Sequence, residues 1–281
     1  MTARSGAARV AGVMGWPVSH SASPRLHGHW LQRYGIDGAY VPMAVRPEAI
    51  ERALRALPLL GFVGANLTIP HKEAALSMVD EGTPAARRIG AINTVTVEGS
   101  RLFGTNTDGF GFVQNIKDAV PDFGFVGARC LVIGAGGAAR AGVASLKGEE
   151  AAEILLANRT ESRAEDLLSD LAAPGRAVAW SELETVLDGI DLLVNTTSLG
   201  MAGQPSLDLD LRDLPEGAVV NDLVYVPLET PLLAAAKARH RPVDGLGMLL
   251  HQARPGFEAW FGRAPEVDDA LRRAVLEGGQ P

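Results

Sequence analysis

Cys130-Leu131-Val132-Ile133-Gly134-Ala135-Gly136-Gly137-Ala138-Ala139-Arg140 decides the reading of this chain. Apolar residues run straight into glycines and then into alanines, which reads as a buried strand turning sharply into the first turn of a helix. Gly134, Gly136 and Ala139 fit the G-x-G-x-x-G/A pattern of a dinucleotide site. That pattern needs a tight turn, close backbone approach to a pyrophosphate and a small residue where helix meets strand. The amides exposed at such a helix start attract phosphate.

A second apolar run, Ile154-Leu155-Leu156-Ala157, ends in Asn158-Arg159-Thr160-Glu161-Ser162-Arg163. An acidic side chain here would accept from the ribose hydroxyls of NAD, whereas arginine accommodates the 2′-phosphate of NADP. Arg159 and Arg163 therefore favour NADP. The competing reading makes Asn158 or Thr160 the cap of the next helix and leaves the arginines as a solvated face.

The chain has 281 residues, 47% of them hydrophobic and 21% charged, with a net charge of −7. That length suits two ordinary domains. An acidic balance argues against nonspecific nucleic-acid binding, which needs a basic face. The single cysteine, Cys130, falls in the proposed strand and reads as a small hydrophobe, so no disulfide and no cysteine metal cluster is expected. A reducing, cytoplasmic compartment follows. The longest apolar runs stop short of the ~18 residues that a membrane helix needs. Val10 to Met14, behind Arg4 and Arg9, is too short for a secretory signal. Monomer and homodimer both stay open, because no exposed apolar stripe stands out.

Strand and helix patterns alternate along the whole chain. Strands are expected at Arg9 to Met14, Ala39 to Val45 and Gly61 to Thr68, and a hairpin at Ala91 to Val97 and Leu102 to Thr105. Helices are expected at Pro24 to Tyr34 with Ser23 as N-cap, at Pro47 to Leu57, from Pro70 through Val79, and at Ala85 to Arg88. A helix from Gly109 to Val120 leads into the fingerprint unit, where the alternation continues to about residue 244. Two closing helices, Met248 to Trp260 and Pro265 to Leu276, break the alternation and are expected to return to the first unit. The fold class is α/β with two α/β domains. One is an N-terminal substrate domain with a mostly parallel sheet, residues 1–108 plus 246–281; the other is a Rossmann-like NADP-binding domain, residues 109–245.

Several polar stretches sit where strands end. His20-Ser21-Ala22-Ser23-Pro24 places hydroxyls at a strand-to-helix turn, although Ser23 reads equally as a cap. His20, His27 and His29 lack a carboxylate at ligand spacing, so no metal site is expected. In Asn66-Leu67-Thr68-Ile69-Pro70-His71-Lys72, a lysine in the first turn of a helix opposes the macrodipole, and a broken local rule points to function. The positive helix end would lower its pKa, which suits proton transfer near neutrality. Asp108, after Asn106-Thr107, reads either as an N-cap or as the partner of Lys72 in one crevice, with Asn66, Asn93 and Asn106 supplying neutral hydrogen bonds. Asn195-Thr196-Thr197-Ser198 and Asp222-Leu223-Val224-Tyr225 end strands beside the cofactor crevice. The glycines of Gly245-Leu246-Gly247-Met248 allow close approach to a nicotinamide ring, while Met201 and Met248 read more readily as core.

Together these stretches resemble the shikimate dehydrogenase family. The motifs are His-Ser-Ala-Ser-Pro at 20–24, Asn-Leu-Thr-Ile-Pro-His-Lys at 66–72, Gly-Ala-Ile-Asn-Thr at 90–94, Asn-Thr-Asp-Gly at 106–109, Gly-Ala-Gly-Gly-Ala at 134–138, Asn-Arg-Thr at 158–160 and Gly-Leu-Gly-Met-Leu-Leu-His-Gln at 245–252. They follow the family's order over nearly the whole chain. Gly28 departs from the family's usual asparagine, outside the expected contact set. The resemblance implies NADPH-dependent, reversible reduction of 3-dehydroshikimate to shikimate in aromatic amino acid biosynthesis. It implies a substrate site of Ser21, Ser23, Thr68, Lys72, Asn93, Asp108, Tyr225 and Gln252, with Lys72 and Asp108 as the catalytic pair. For NADP it implies the turn Gly134, Ala135, Gly136, Gly137 and Ala138, then Asn158, Arg159, Thr160 and Arg163, with Thr196, Thr197, Ser198, Leu223, Gly245 and Met248. The rival readings are a quinate or dual quinate/shikimate dehydrogenase and a noncatalytic metabolite-binding homologue. The latter is expected to lose Lys72 or Asp108, and both are present.

Overall fold

A computed structural model of the chain describes residues 4–277. The chain divides into two compact units, one running to Thr107 and resuming at Gln252, the other running from Asp108 to His251.

In the first unit the order is β1 (Arg9–Gly15), α1 (Ser23–Arg33), β2 (Gly38–Ala44), α2 (Ile50–Ala56), β3 (Phe62–Leu67), β4 (Glu81–Gly82), α3 (Pro84–Ile89), β5 (Thr94–Glu98) and β6 (Arg101–Thr105). The sheet order is β2-β1-β3-β5-β6-β4. In it β1 runs parallel to β2 and β3, and the two-residue β4 runs parallel to β6. The hairpin β5–β6 is antiparallel and pairs antiparallel to β3. One face buries an aliphatic core that includes Met14, Leu54, Leu57, Leu67, Ile92 and Leu102.

The second unit holds α4 (Asp108–Ala119), β7 (Arg129–Ile133), α5 (Gly137–Gly148), β8 (Glu153–Ala157), α6 (Glu161–Leu171), β9 (Gly175–Val178), β10 (Leu192–Asn195), β11 (Val219–Asp222), α7 (Pro231–Ala236) and β12 (Arg241–Val243). Its strands are all parallel, in the order β12-β11-β10-β7-β8-β9. Counted from β7 this is the doubly wound order 3-2-1-4-5-6, with its switch point between β7 and β10. Alternate residues feed two cores: Cys130, Val132, Ile154 and Leu156 pack on one face, Leu131, Ile133, Leu155 and Ala157 on the other. Burial on both faces is why these strands read as unbroken apolar runs rather than as alternation. Then α8 (Leu246–Phe261) leads out of the second unit, and α9 (Asp269–Glu277) belongs to the first.

Three local expectations are corrected. No α-helix spans 70–79; Ala74–Ser77 makes a short 3-10 turn. The Lys72 carbonyl accepts from Ile92 N at 2.8 Å, and Leu76 N turns to Glu73 O instead, so a tertiary bond takes the acceptor that an α-helix would need. The helix that the sequence pattern suggests at Leu183 to Leu187 is likewise absent, and Glu184–Val186 makes a 3-10 turn there. Ser23 is not a cap: α1 starts on it, Ala22 precedes it, and no side chain caps the helix.

Candidate functional site

In the second unit, every stretch expected to touch a cofactor follows the carboxyl end of a parallel strand, where open α/β sheets bind ligands. After β7 the chain turns at Gly134, whose φ of +110° disfavours any side chain; a Cβ there would lie 2.5 Å from Thr196 Oγ1. Gly134 N donates to Ala157 O at 2.7 Å, and Thr196 donates through its amide and hydroxyl to Ile133 O at 2.9 and 2.7 Å. The turn and the loop after β10 are thereby fastened to each other across the switch point. α5 starts behind Gly136 with no side-chain cap, and residues 136 and 137 are exposed, so its first amides face outward.

Beneath these loops lies a buried polar support. Asn195 Oδ1 accepts from the Thr197 amide and hydroxyl, and its Nδ2 donates to Leu199 O and to Asp222 Oδ1. Asp222 also accepts from Val224 N at 3.0 Å and from Thr230 Oγ1 at 2.7 Å. Burial pushes its carboxyl above the usual carboxylate range despite those three donors. Packing within the chain itself already requires glycine at 245 and 247. A Cβ at Gly245 would sit 2.1 Å from Leu223 O, and one at Gly247 1.8 Å from Asn115 Oδ1.

After β8, Asn158 Nδ2 donates to Thr160 O at 2.8 Å, and Thr160 precedes α6 without a side-chain bond to it. Thr160 stands at the N-cap position but neither it nor Asn158 caps the helix through its side chain. Arg159, Thr160 and Arg163 are exposed around that helix start, and Asn158 is half-buried. Met248 and Tyr225 are half-buried and Ser198 is exposed.

In the first unit Asn93 and Gln252, two of the candidate substrate residues, belong to one polar network. Tyr40 Oη donates to Asn66 Oδ1 at 2.6 Å, and Asn66 Nδ2 donates to Asn93 O and Thr94 Oγ1 at 3.1 and 3.0 Å. Asn93 Nδ2 donates to Thr107 Oγ1 at 3.0 Å and to Gln252 Oε1 at 3.1 Å. Its Oδ1 accepts from Thr107 N and Thr94 Oγ1, and Thr107 Oγ1 donates to Gln252 O at 2.7 Å. Ser23 N donates to Ser21 Oγ at 3.3 Å. The network brings Asn66, Asn93 and Gln252 together and pins Thr107, the residue before Asp108.

Thr68 and Lys72 sit on the adjoining loop. Thr68 N donates to Met14 O at 3.0 Å, and the Lys72 backbone is bonded to Ile92, the neighbour of Asn93. His71 Nε2 donates to Val45 O at 2.8 Å, since a carbonyl only accepts, and burial holds the ring below its usual pKa. Lys72 is half-buried, outside any α-helix, so the macrodipole argument for it falls. Asp108 is buried and opens α4 as its first residue rather than its cap.

Sequence reasoning missed Tyr40, Thr94 and Thr107 as members of this network. The signal was Asn66 inside an apolar strand: a buried carboxamide requires partners. His27 turns out to stack on Tyr40, centroids 3.9 Å apart and planes 6° apart, with Trp30, Phe257 and Trp260 around it. Among the described residues no group of three or more histidine, cysteine or acidic side chains could hold a metal ion, and no helix is long and apolar enough to cross a membrane.

Three family profiles match in order: the shikimate dehydrogenase substrate binding domain over residues 13–95, shikimate/quinate 5-dehydrogenase over 117–201, and the shikimate 5′-dehydrogenase C-terminal domain over 245–276. A shikimate dehydrogenase (NADP(+)) of Rhodospirillum rubrum is 60% identical over 283 residues, covering 99% of each chain. The shikimate 5-dehydrogenase of Thermus thermophilus, solved with NADP(H) and shikimate, is 36% identical with a TM-score of 0.85, covering 96% of this chain and 99% of that one. The ligand-free 5-ketofructose reductase of a Gluconobacter strain superposes with a TM-score of 0.89 at 32% identity, covering 98% and 99%. With relatives this similar along its full length, and with the phosphate turn and polar network in the places described, the chain belongs to the shikimate dehydrogenase family.

Proposed function

We propose that this chain reduces 3-dehydroshikimate to shikimate with NADPH, reversibly, as a step of aromatic amino acid biosynthesis. The observation that carries the reading is the pairing, in one chain, of a phosphate turn at a parallel switch point with a buried network of hydroxyls and carboxamides. The first suits a dinucleotide and the second a small hydroxylated ring.

NADP fits the residues present. The uncapped start of α5 offers amides to the pyrophosphate through Gly134, Ala135, Gly136, Gly137 and Ala138. The uncapped start of α6, with exposed Arg159 and Arg163 beside Asn158 and Thr160, suits a 2′-phosphate. Thr196, Thr197, Ser198, Leu223, Gly245 and Met248 complete the set. When bound, the nicotinamide supplies the hydride.

The chain's own groups do the rest. Ser21, Ser23, Thr68, Asn93, Tyr225 and Gln252 bind and orient the substrate, with the two serines at its carboxylate. Asn93 has both amide hydrogens engaged, by Thr107 and Gln252, and reaches a substrate hydroxyl by exchanging the Gln252 bond. Lys72 Nζ gives its proton to the oxygen that develops charge, and Asp108 keeps that ammonium charged and placed. Residues 1–108 with 246–281 act as the substrate domain and 109–245 as the NADP domain. The enzyme works in the cytoplasm, with no nucleic acid or membrane as partner.

The test is the initial rate with 3-dehydroshikimate and NADPH beside the same assay with NADH, then shikimate against quinate in the reverse direction with NADP. The expected order is NADPH far above NADH and shikimate above quinate. A higher rate with quinate would move the assignment to the quinate branch, and binding without turnover would make the chain a sensor.

A further inference from the structure

Asp222 is outside every set of residues assigned above, yet it is a carboxyl group with no exposed surface and, among the described residues, no cation paired with it. Donors surround it instead. It ends β11 beside Asn195, the last residue of β10, on the final rung that the two strands share. Its Oδ1 accepts from Asn195 Nδ2 at 2.9 Å and from Val224 N at 3.0 Å, and its Oδ2 accepts from Thr230 Oγ1 at 2.7 Å. The Asn195 amide cannot be turned over, because its Nδ2 also faces the Leu199 carbonyl, which only accepts, and its Oδ1 faces Thr197 N, which only donates. Three donors thus converge on two oxygens. A carboxylate satisfies all of them, whereas a carboxamide offers one acceptor atom and one donor group.

These three bonds reach two loops. Residues 223–230 leave β11 and end at Thr230, which caps α7 by accepting from Leu233 N. One carboxyl holds this loop at both ends, through Oδ1 at Val224 and Oδ2 at Thr230, with Tyr225 between them. Through Asn195 it also holds the loop after β10, since Asn195 Oδ1 accepts from the Thr197 amide at 3.0 Å and the Thr197 hydroxyl at 2.7 Å. We propose that Asp222 is a positioning residue of the cofactor site, a single clasp that keeps the loops after β10 and β11 in their receiving conformation before NADP arrives. The proposal rests on the reading of Thr196, Thr197, Ser198 and Leu223 as NADP contacts. Loops that are ordered in the free chain need not be ordered at the expense of binding, so the clasp acts on affinity.

Asp222→Leu removes both acceptor atoms, while Asp222→Asn keeps one for Val224 and Asn195 and turns a donor toward Thr230. The expected result is a rise in the NADPH dissociation constant, read by fluorescence titration, of about 10-fold for Asp222→Leu and about threefold for Asp222→Asn, the scale of one hydrogen bond lost in whole or in part. A merely structural role would lower the melting temperature and the number of binding sites per chain, and leave the dissociation constant of the folded fraction where it was. A measurement on the wild type needs no variant that might misfold. Thr197 N and Val224 N donate to Asn195 and Asp222, so in hydrogen exchange read by mass spectrometry the peptides that carry them are protected in the free chain, and NADP adds little. An unchanged dissociation constant in Asp222→Leu, equal constants for the Leu and Asn variants, or amides at 197 and 224 that exchange as an open loop until NADP binds each overturn the role of Asp222 while leaving the cofactor site in place. A wild-type chain that does not bind NADPH overturns the reading of that site, and this proposal with it.

Discussion

Replacing His27 by phenylalanine should flatten the loss of stability in mild acid. The imidazole is fully buried in its box of aromatic rings, and neither ring nitrogen has a hydrogen-bond partner of good geometry. Burial penalises the charged form and brings its pKa down from 6.5 to about 3, a fall that the nearby Asn66 carboxamide opposes only in part. The sign follows from proton counts. Between about pH 3 and pH 6.5 the unfolded chain carries a proton on this histidine that the folded chain refuses, so stability rises with pH across that window and is lost on acidification. At about 1.36 kcal/mol per pH unit, going from pH 7 to pH 5 costs the wild type about 2 kcal/mol through this one ring.

Phenylalanine has a similar volume and keeps a flat face on Tyr40, so the packing cost stays below about 1.5 kcal/mol, while the titration disappears. Urea unfolding at pH 5, 6 and 7 measures the effect. Tryptophan fluorescence favours the relevant unit, since Trp16, Trp30 and Trp260 lie in it and only Trp180 in the other. His71, also pushed down by burial, contributes a slope of the same sign that the variant retains. The quantity to read is therefore the difference between the two proteins. Parallel pH profiles for wild type and His27→Phe would refute the reasoning.

Lys72→Ala should lower kcat by about 10²–10⁴-fold, the range for a general acid, with the NADPH dissociation constant hardly changed; near-full turnover would remove Lys72 from the chemistry. Arg159→Ala should weaken NADPH by about 10- to 100-fold, from the loss of a charged hydrogen bond of ~1.5–3 kcal/mol, and leave NADH almost untouched; equal losses measured by fluorescence titration would defeat the 2′-phosphate assignment. Gly245→Ala should destabilise the second unit by about 1–3 kcal/mol, because its Cβ would stand 2.1 Å from the rigid Leu223 carbonyl. A melting temperature equal to that of the wild type would show that the backbone there gives way freely.

The parts of the fold legible in the sequence and the parts that are not divide along a physical line. The second unit was legible because its signals are local and concordant. Strands buried on both faces show as apolar runs such as Ile154–Ala157, and the glycine at 134 marks a turn where φ is positive and a Cβ would clash. The stretch 70–79 misled because its pattern was helical while the decisive bond was not local: Ile92, twenty residues on, takes the Lys72 carbonyl. No propensity registers a competitor that distant. The lysine still merited its place among the candidates, but on the strength of its motif rather than of a helix dipole.

Tyr40 shows the limit most clearly, since an aromatic residue in a strand reads as core and nothing nearby contradicts it. Its role comes from register. Tyr40 pairs with Ala11 of β1, and Ala11 pairs with Gly64 of β3, two residues before Asn66. Side chains at this spacing share one face of the sheet. Because the residues between them are alanine and glycine, the phenol can reach across a whole strand to the carboxamide. The same face carries His27, Trp30, Phe257 and Trp260 against the phenol ring or its neighbours. One aromatic layer therefore does two jobs: it closes the core of the first unit, and at its polar edge its phenol fixes the sense of the Asn66 carboxamide. A substitution that loosens the layer should register in substrate KM as well as in stability, whereas the aliphatic core on the opposite face, built on Leu54, Leu57 and Ile92, should register in stability alone.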